Sequence, residues 1–480
     1  MSPAPVARDA RVPLAVDLDG TLVRSDMLME SLASALKRAP WLALALPFWL
    51  LGGRAKLKSE LARRADIDVT LLPYDPNVLA ELRRARAAGH PLVLATAADE
   101  SIARRIAGHL GIFADVIASD GAANLKREAK ARALVDRYGE AGFDYVGEDR
   151  HDLPVWKHAR EAYVVGSNPT VAAGLASLAK PVHAIGRVTR PGRALVKGIR
   201  AWQWAKNLLV FVPLLTAHVY THGPSIAAAA LAFAAFSLVA SAVYLANDLV
   251  DLQDDRRHPT KRARPLASGE LPIVTALLLL PVLLVAAMAI ASLLPWTFGA
   301  LLVVYVAANL AYSLRLKRAA LVDVFVLAGL YTLRILAGAA AIEVPVSHWL
   351  LAFSLFMFLS LALAKRYVEV ANVASRDEER VGGRGYLAGD GALLGMLGTS
   401  AGYLSVLVFA LYITSPQVMM LYRSPAILWF AVPLLLYWVS RVWILAHRGA
   451  LHEDPLLFAL HDRSSYATGV LIVALMVLAT

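Results

Sequence analysis

From residue 187 onward the chain is a succession of apolar runs separated by short polar loops, and this pattern constrains the fold more than any other feature. Nine runs can be read, at about 207–221, 226–246, 272–294, 297–313, 320–341, 348–364, 391–414, 425–445 and 466–480. A helix needs roughly 20 apolar residues to cross a bilayer, and shorter runs suit helices held inside a bundle. The expectation is an all-α bundle of nine transmembrane helices over residues 187–480. Across the whole chain 58% of residues are hydrophobic and 18% charged, against about 45–50% and 25% in ordinary soluble domains. Disorder, a small disulfide scaffold and a plain soluble enzyme are excluded. The absence of Cys removes disulfides, thiolate metal ligands and Cys nucleophiles.

The net charge is +11, and it is uneven. Residues 1–186 carry 24 basic and 22 acidic side chains, residues 187–480 carry 24 and 15, so the apolar half is also the basic half. Nucleic acid is not the expected partner; membrane phosphates and phosphorylated substrates account better for cations set among apolar helices. The loops on one side hold Arg187, Arg190, Arg193, Lys197, Arg200 and Lys206, then clusters around 256–264, 315–318, 365–384 (with Arg376 and Arg380) and 441–463. The opposite side shows only Arg423. Basic loops stay in the cytosol, which predicts a multi-pass protein of the inner (cytoplasmic) membrane with its C-terminus outside. Met1–Ala10 lacks the apolar core of a signal peptide, which keeps the N-terminus cytosolic. Nothing in the pattern argues against a homo-oligomer.

Residues 1–186 have a different grain. Short apolar segments at Leu14–Val16, Leu92–Ala95, Val116–Ala118, Tyr145–Val146 and Ala162–Val165 alternate with amphipathic stretches such as Asn77–Ala88, Ile102–Leu110 and Ala129–Tyr138. Strands alternating with helices predict a parallel α/β sheet. Trp41–Leu51 (WLALALPFWLL) stands out: it is broken by Pro47 and too short to span a bilayer. Either a buried cap helix or a segment dipping into the membrane interface fits it.

The most informative stretch is YLANDLVDLQDDRRHPTKRARPLASGE, residues 244–270. Asn247, Asp251 and Asp255 are four apart and share one helical stripe, with Asp248 beside it. Carboxylates that repel one another on one face call for a cation. Mg²⁺ is the hard, oxygen-seeking choice, usually with substrate phosphates completing its shell. The cations that follow, among them Arg257, Lys261 and Arg264, can hold phosphate oxygens.

Together with RAWQWAKN (200–207), YSLRLK (312–317), LRILAG (333–338) and AKRYVE (364–369), this block resembles the UbiA superfamily of membrane prenyltransferases over about 190–480. More narrowly it is similar to the decaprenyl-phosphate phosphoribosyltransferases. That resemblance implies phosphoribosyl pyrophosphate as donor, a polyprenyl phosphate as acceptor, and a place in cell-wall or glycolipid synthesis. A typical UbiA enzyme carries a second aspartate-rich motif after its sixth helix; this chain has Lys365, Arg366 and Tyr367 there, with Glu369 the nearby carboxylate. Cations in place of carboxylates favour a bare phosphate over a second metal. The implied roles are Mg²⁺ on Asp248, Asp251 and Asp255, with Asn247 beside them. Arg257, Lys261 and Arg264 are expected on the donor, and Tyr312, Lys317, Lys365 and Arg366 on the acceptor phosphate. Lys206 and Asn207 can serve either phosphate. Arg334, deep in an apolar run, is either functional or a helix-pairing residue. Gly391, Gly395, Gly398 and Gly402 read as close helix packing.

In the first half, LAVDLDGT (14–21) places two carboxylates one residue apart at a strand end, where one can act as nucleophile and the other as general acid/base. This resembles the haloacid dehalogenase (HAD) superfamily over about 11–186. The resemblance implies Asp17 as nucleophile, Asp19 as acid/base, Thr96 as phosphoryl ligand and Lys130 as the conserved-type lysine, with Lys126 the alternative. A second Mg²⁺ is implied on Asp17, Asp19, Glu148 and Asp152. The sequence departs from the family pattern at Glu148, where an Asp is usual. A phosphatase beside a phosphoribosyltransferase suggests removal of the ribose 5-phosphate from the lipid product. The competing reading is a conventional prenyltransferase with a prenyl diphosphate donor and a non-catalytic HAD domain. A transporter with a regulatory HAD module is the third.

Overall fold

The computed structural model describes residues 12–120, 125–188, 190–375, 381–382, 384–416, 418, 422–451 and 454–480. The Met1–Ala10 stretch, Arg376 and Arg380 lie outside them. The chain divides into two compact units, one built from residues up to 199 together with 244–280, the other from 200–243 together with 281–480.

The first unit is built on a six-stranded sheet: β1 Leu14–Val16, β2 Leu92–Asp99, β3 Asp115–Ser119, β4 Asp144–Gly147, β5 Ala162–Val165 and β6 Val182–Ile185. All neighbours are parallel, in the order β3-β2-β1-β4-β5-β6. Alternation of side chains across the pleat supplies two cores. Leu14, Val16, Leu92 and Leu94 face one layer of helices, while Ala15, Val93, Ala95 and Tyr145 face the other. With β1 central, its C-terminal end and those of β2 and β4 open at one edge, which is where a doubly wound sheet binds its ligands. β6 escaped the sequence reading because three of its four residues are exposed and carry no apolar alternation.

A small cap lies between β1 and β2. Asp26 caps helix Met27–Arg38 by accepting from the Leu28 and Met29 amides, and helix Arg54–Arg64 packs beside it over Ala35, Leu42 and Leu61. The Trp41–Leu51 segment joins them as a 3₁₀ turn, Pro40–Leu44, and a short helix, Leu46–Leu51. It is not buried: Trp41, Leu44, Phe48 and Leu51 are 68%, 78%, 73% and 86% exposed.

The aspartate-rich block packs within this first unit. Arg256 is buried and makes a two-pronged ion pair with the buried Glu30 of the cap, at 3.0 and 2.6 Å, while its Nε donates to the Ala267 carbonyl. Gly269 has φ +73°, and a Cβ there would lie 2.2 Å from the Arg24 carbonyl, so only glycine permits that approach. A buried charge whose partner is removed costs about 3–5 kcal/mol, whereas replacing both by apolar residues costs little. Arg256→Met is therefore expected to destabilise the first unit by that amount in denaturant unfolding. Adding Glu30→Met should restore most of the loss; a single-variant loss below about 1 kcal/mol would contradict the pairing.

Among the described residues seven helices are long and apolar enough to cross a membrane: Gly223–Val250, Ile273–Ala291, Trp296–Leu314, Val322–Ala341, His348–Ala374, Ala388–Ile413 and Pro425–His447. Nine were expected. The run at 207–221 instead forms 3₁₀ turns over Ala201–Phe211 and a short helix, Val212–Thr216, entered through Pro213, which has no N–H to donate. The last run forms Arg463–Ala479, which at 17 residues is shorter than the others. In the second unit the glycine expectation holds in part. A Cβ at Gly398 would sit 2.1 Å from Trp443, and one at Gly402 2.5 Å from Val439, whereas Gly391 and Gly395 have room.

Candidate active sites

In the first unit, β1 ends by presenting Asp17 and Asp19 to a cavity of about 990 Å³. Lys130 Nζ lies 2.6 Å from Asp17 Oδ1 and donates to Tyr145 Oη at 2.9 Å. Lys126 lines the cavity but is exposed, so Lys130 is the lysine that meets the carboxylate. Asp19 Oδ1 accepts from the Met27 amide at 2.8 Å, tying it to the first turn of the cap. Thr96 is fully buried on β2 and accepts from the Ala98 amide, leaving its hydroxyl proton to donate. Burial first, opposed by Lys130, and then repulsion from Asp152 push Asp17 up to about 6. Burial with repulsion from Asp26 and Asp17 pushes Asp19 to about 8, and burial, opposed by Arg187, pushes Glu148 to about 7. These carboxylates sit where a positive charge would be favoured.

Asp152 also lines the cavity. Tyr145 Oη donates to its Oδ1 at 2.8 Å, and its Oδ2 accepts from the Glu148 and Asp149 amides at 3.1 and 3.2 Å. It was expected as a metal ligand; these donors tie it to the β4 loop and leave lone pairs on its oxygens.

The aspartate block lies elsewhere in the same unit. Helix Gly223–Val250 stops just before Asp251, yet the Asp251 amide still bonds to the Asn247 carbonyl and the Asp255 amide to that of Asp251, both at 2.8 Å. The stripe expected from the spacing of Asn247, Asp251 and Asp255 is thereby kept. Arg264 Nη1 sits between two carboxylates, 3.1 Å from Asp248 Oδ1 and 2.5 Å from Asp255 Oδ2. Arg257 is exposed and pairs with Asp68 and Asp254, and Lys261 is exposed.

In the second unit, a cation cluster forms around Asp454. Lys206 Nζ and Lys365 Nζ lie 2.9 and 3.1 Å from its Oδ2, and Tyr331 Oη donates to Oδ1 at 3.0 Å. Burial alone would raise the Asp454 carboxyl, but Lys365 and Lys206 hold it well below the usual carboxylate range. Buried Arg334 donates to Asn207 Oδ1, Tyr305 Oη and the Leu330 carbonyl, so the intramembrane arginine pairs helices. Arg366 was expected on the acceptor phosphate. Instead it is 1% exposed and spends its donors on Asp323, Glu369 and Tyr312. Tyr312 is drawn into the same network, which Arg384 joins, while Lys317 lies half-buried beyond Leu314.

Residues 208–463 match the UbiA prenyltransferase family, more than half of the chain. The chain belongs to that family. Residues 14–157 match the haloacid dehalogenase-like hydrolases, so the α/β unit carries a HAD-like domain. The uncharacterized protein y4nM of Sinorhizobium fredii is 39% identical over 98% of this chain and 92% of its own length. The nodulation protein NoeC of Azorhizobium caulinodans is 35% identical over 57% of this chain and 89% of its own. Decaprenyl-phosphate phosphoribosyltransferase of Mycobacterium tuberculosis is 40% identical over 38% of this chain and 63% of its own.

Among the described residues no cluster of three or more His, Asp or Glu side chains is gathered tightly enough to hold a metal by itself. The donors nevertheless fit Mg²⁺ in kind. In the HAD-like domain, Asp17, Asp19 and Glu148 each have one oxygen engaged, by Lys130, the Met27 amide and Arg187. A carboxylate offers about four lone-pair sites, so hard oxygen donors remain for a cation whose shell phosphate and water complete. Glu148 leans over Gly20, where φ is +79° and a Cβ would come within 1.7 Å of its Oε1. In the UbiA domain Arg264 supplies the positive charge that Asp248 and Asp255 require, and a divalent cation with its phosphates could take over that role.

Sequence reasoning missed Arg187, which is 2.6 Å from Glu148 and 2.7 Å from Asp75 and also donates to the Gly20 and Thr21 carbonyls. It missed Lys58 of the cap, which lines the cavity and donates to the Ala97 carbonyl at 2.6 Å. Burial lowers its ammonium pKa, and Asp19 and Asp26 only partly oppose this. It also missed Asp454, whose one sequence signal is a carboxylate before Pro455 in a loop of the basic side.

Proposed function

We propose that this protein transfers 5-phosphoribose from phosphoribosyl pyrophosphate to a polyprenyl phosphate, and that its HAD-like domain then removes the 5-phosphate to leave polyprenyl-phosphoryl-ribose. The observation that carries the reading is the contrast between the two polar clusters of the UbiA domain. One is a set of carboxylates, Asp248, Asp251 and Asp255, suited to a metal-bound diphosphate. The other is a pair of ammonium groups, Lys206 and Lys365, gathered on a single anionic oxygen. A bare lipid phosphate asks for the second arrangement, whereas a prenyl diphosphate with its own metal would ask for further carboxylates.

In the transfer, an oxygen of the ionised lipid phosphate forms a bond to ribose C1. The C1–O bond to diphosphate breaks, and its electron pair leaves with the diphosphate. No protein nucleophile is required, and direct displacement inverts the anomeric centre. In the HAD-like domain, an Asp17 oxygen attacks the 5-phosphorus and Asp19 gives its proton to the departing ribose oxygen. Water then attacks the aspartyl phosphate, loses a proton to Asp19, and releases inorganic phosphate. When bound, Mg²⁺ would neutralise the charge of the diphosphate at Asp248, Asp251 and Asp255 and of the phosphoryl group at Asp17, Asp19 and Glu148. The bare apolar tip of the cap, Trp41 to Leu51, is suited to the membrane interface and would keep the phosphatase beside its lipid substrate. Nine membrane-crossing segments, with basic loops and N-terminus in the cytosol and the C-terminus outside, complete this reading.

Donor labelling tests it. Purified protein with polyprenyl phosphate is expected to move ribose label from phosphoribosyl pyrophosphate into the lipid fraction, and to move no label from a prenyl diphosphate. The opposite pattern would make it a conventional prenyltransferase.

A further inference from the structure

The HAD-like cavity is larger than a phosphoryl group requires. At about 990 Å³ it stands at the upper end of the ~300–1,000 Å³ of small-molecule sites. Its floor is the carboxylate set, but one wall is formed by helix Pro191–Gly198 and the segment 269–274. Arg193 and Lys197 line that wall four apart, hence on one helical face, and Arg190 lines it from the N-cap position just before the helix. Among the described residues none of the three has an ion-pair partner. Leu195 and Val196, on the same helix, are exposed. Gly198 fixes the helix against the wall, since a Cβ there would meet Leu271 at 2.7 Å. Next to the cations stand Ile273 and Val274, the first residues of a membrane-length helix, with Glu270 the one acidic side chain of this wall.

Resting on the phosphatase reading above, we propose that Arg190, Arg193 and Lys197 form a second anion subsite of the HAD-like cavity. It holds the phosphodiester of the substrate while Asp17 works on the terminal phosphate. The ligand class is a sugar carrying two phosphates, one esterified at its far side to an apolar chain, and that chain leaves past Ile273 and Val274. The subsite explains why a cavity floored by carboxylates carries unpaired cations on one wall, and it selects for a lipid-linked sugar phosphate over free sugar phosphates.

The test measures phosphate release by the full-length protein from two soluble substrates, ribose 5-phosphate and methyl-phosphoryl-ribose 5-phosphate, with Asp17→Asn as blank. The readout is the ratio of their kcat/KM values, which is insensitive to the fraction of protein folded. Wild type should favour the diester by about tenfold or more, the worth of a charge-assisted contact. The Arg193→Gln/Lys197→Gln double variant should bring the ratio close to one, and Arg193→Lys should keep most of the preference. A ratio unchanged in the double variant would overturn the subsite while leaving the phosphatase standing, and would assign these cations to lipid headgroups. Release from neither substrate would overturn the phosphatase reading and the subsite with it.

Discussion

Asp17→Asn is expected to leave ribosyl transfer running while phosphate release falls by at least about 10³-fold, so that lipid still bearing the 5-phosphate accumulates. The amide keeps the size of the carboxylate and can still accept from Lys130, which lies 2.6 Å from the Asp17 oxygen, so the fold around β1 should persist. What it loses is the nucleophile, so no aspartyl phosphate can form. Effects of this size are usual when a covalent nucleophile is removed. Phosphate release retained within a few-fold of wild type would mean that Asp17 is not the nucleophile.

Asp251→Ala is expected to reduce ribosyl transfer by roughly 10²–10⁴-fold, since a metal-bound leaving group is worth several kcal/mol in the transition state. Asp248 and Asp255 both engage Arg264, so removing either would disturb that pairing as well. Phosphate release from externally supplied phosphoribosyl lipid should continue in this variant. Loss of both activities together would point to damage of the shared unit instead, because the aspartate block also anchors the cap through Arg256 and Glu30.

Patterns local in sequence were the readable ones. β1 and β5 fall on the residues expected from short apolar runs, and β2, β3 and β4 differ from the expected segments only at their ends. Asp17 and Asp19 were legible as carboxylates one residue apart at a strand end, whereas Lys130, 113 positions from Asp17, came from the family resemblance and not from a local pattern. Partnerships between distant residues were not legible. Arg187 reaches Asp75 across 112 positions and Lys206 reaches Asp454 across 248, and nothing near either residue marks it for the other. Arg366 illustrates the reverse case. A cation at the end of an apolar run reads alike whether it waits for a phosphate or is already paired, and here Asp323, 43 positions away, had claimed it. The surroundings of Asp152 were equally hidden, since a carboxylate's charge is visible in sequence but the donors that hydrogen-bond to it are not.

One chain is expected first to add phosphoribose to a lipid phosphate and then to strip the 5-phosphate. The most direct test is mass spectrometry of the lipid products formed from phosphoribosyl pyrophosphate, Mg²⁺ and a polyprenyl phosphate by wild type and by Asp17→Asn. Wild type is expected to give polyprenyl-phosphoryl-ribose, and the variant the same lipid heavier by one phosphate. A ribose-free lipid from both would contradict the transfer, and the phosphorylated lipid from both would contradict the second step.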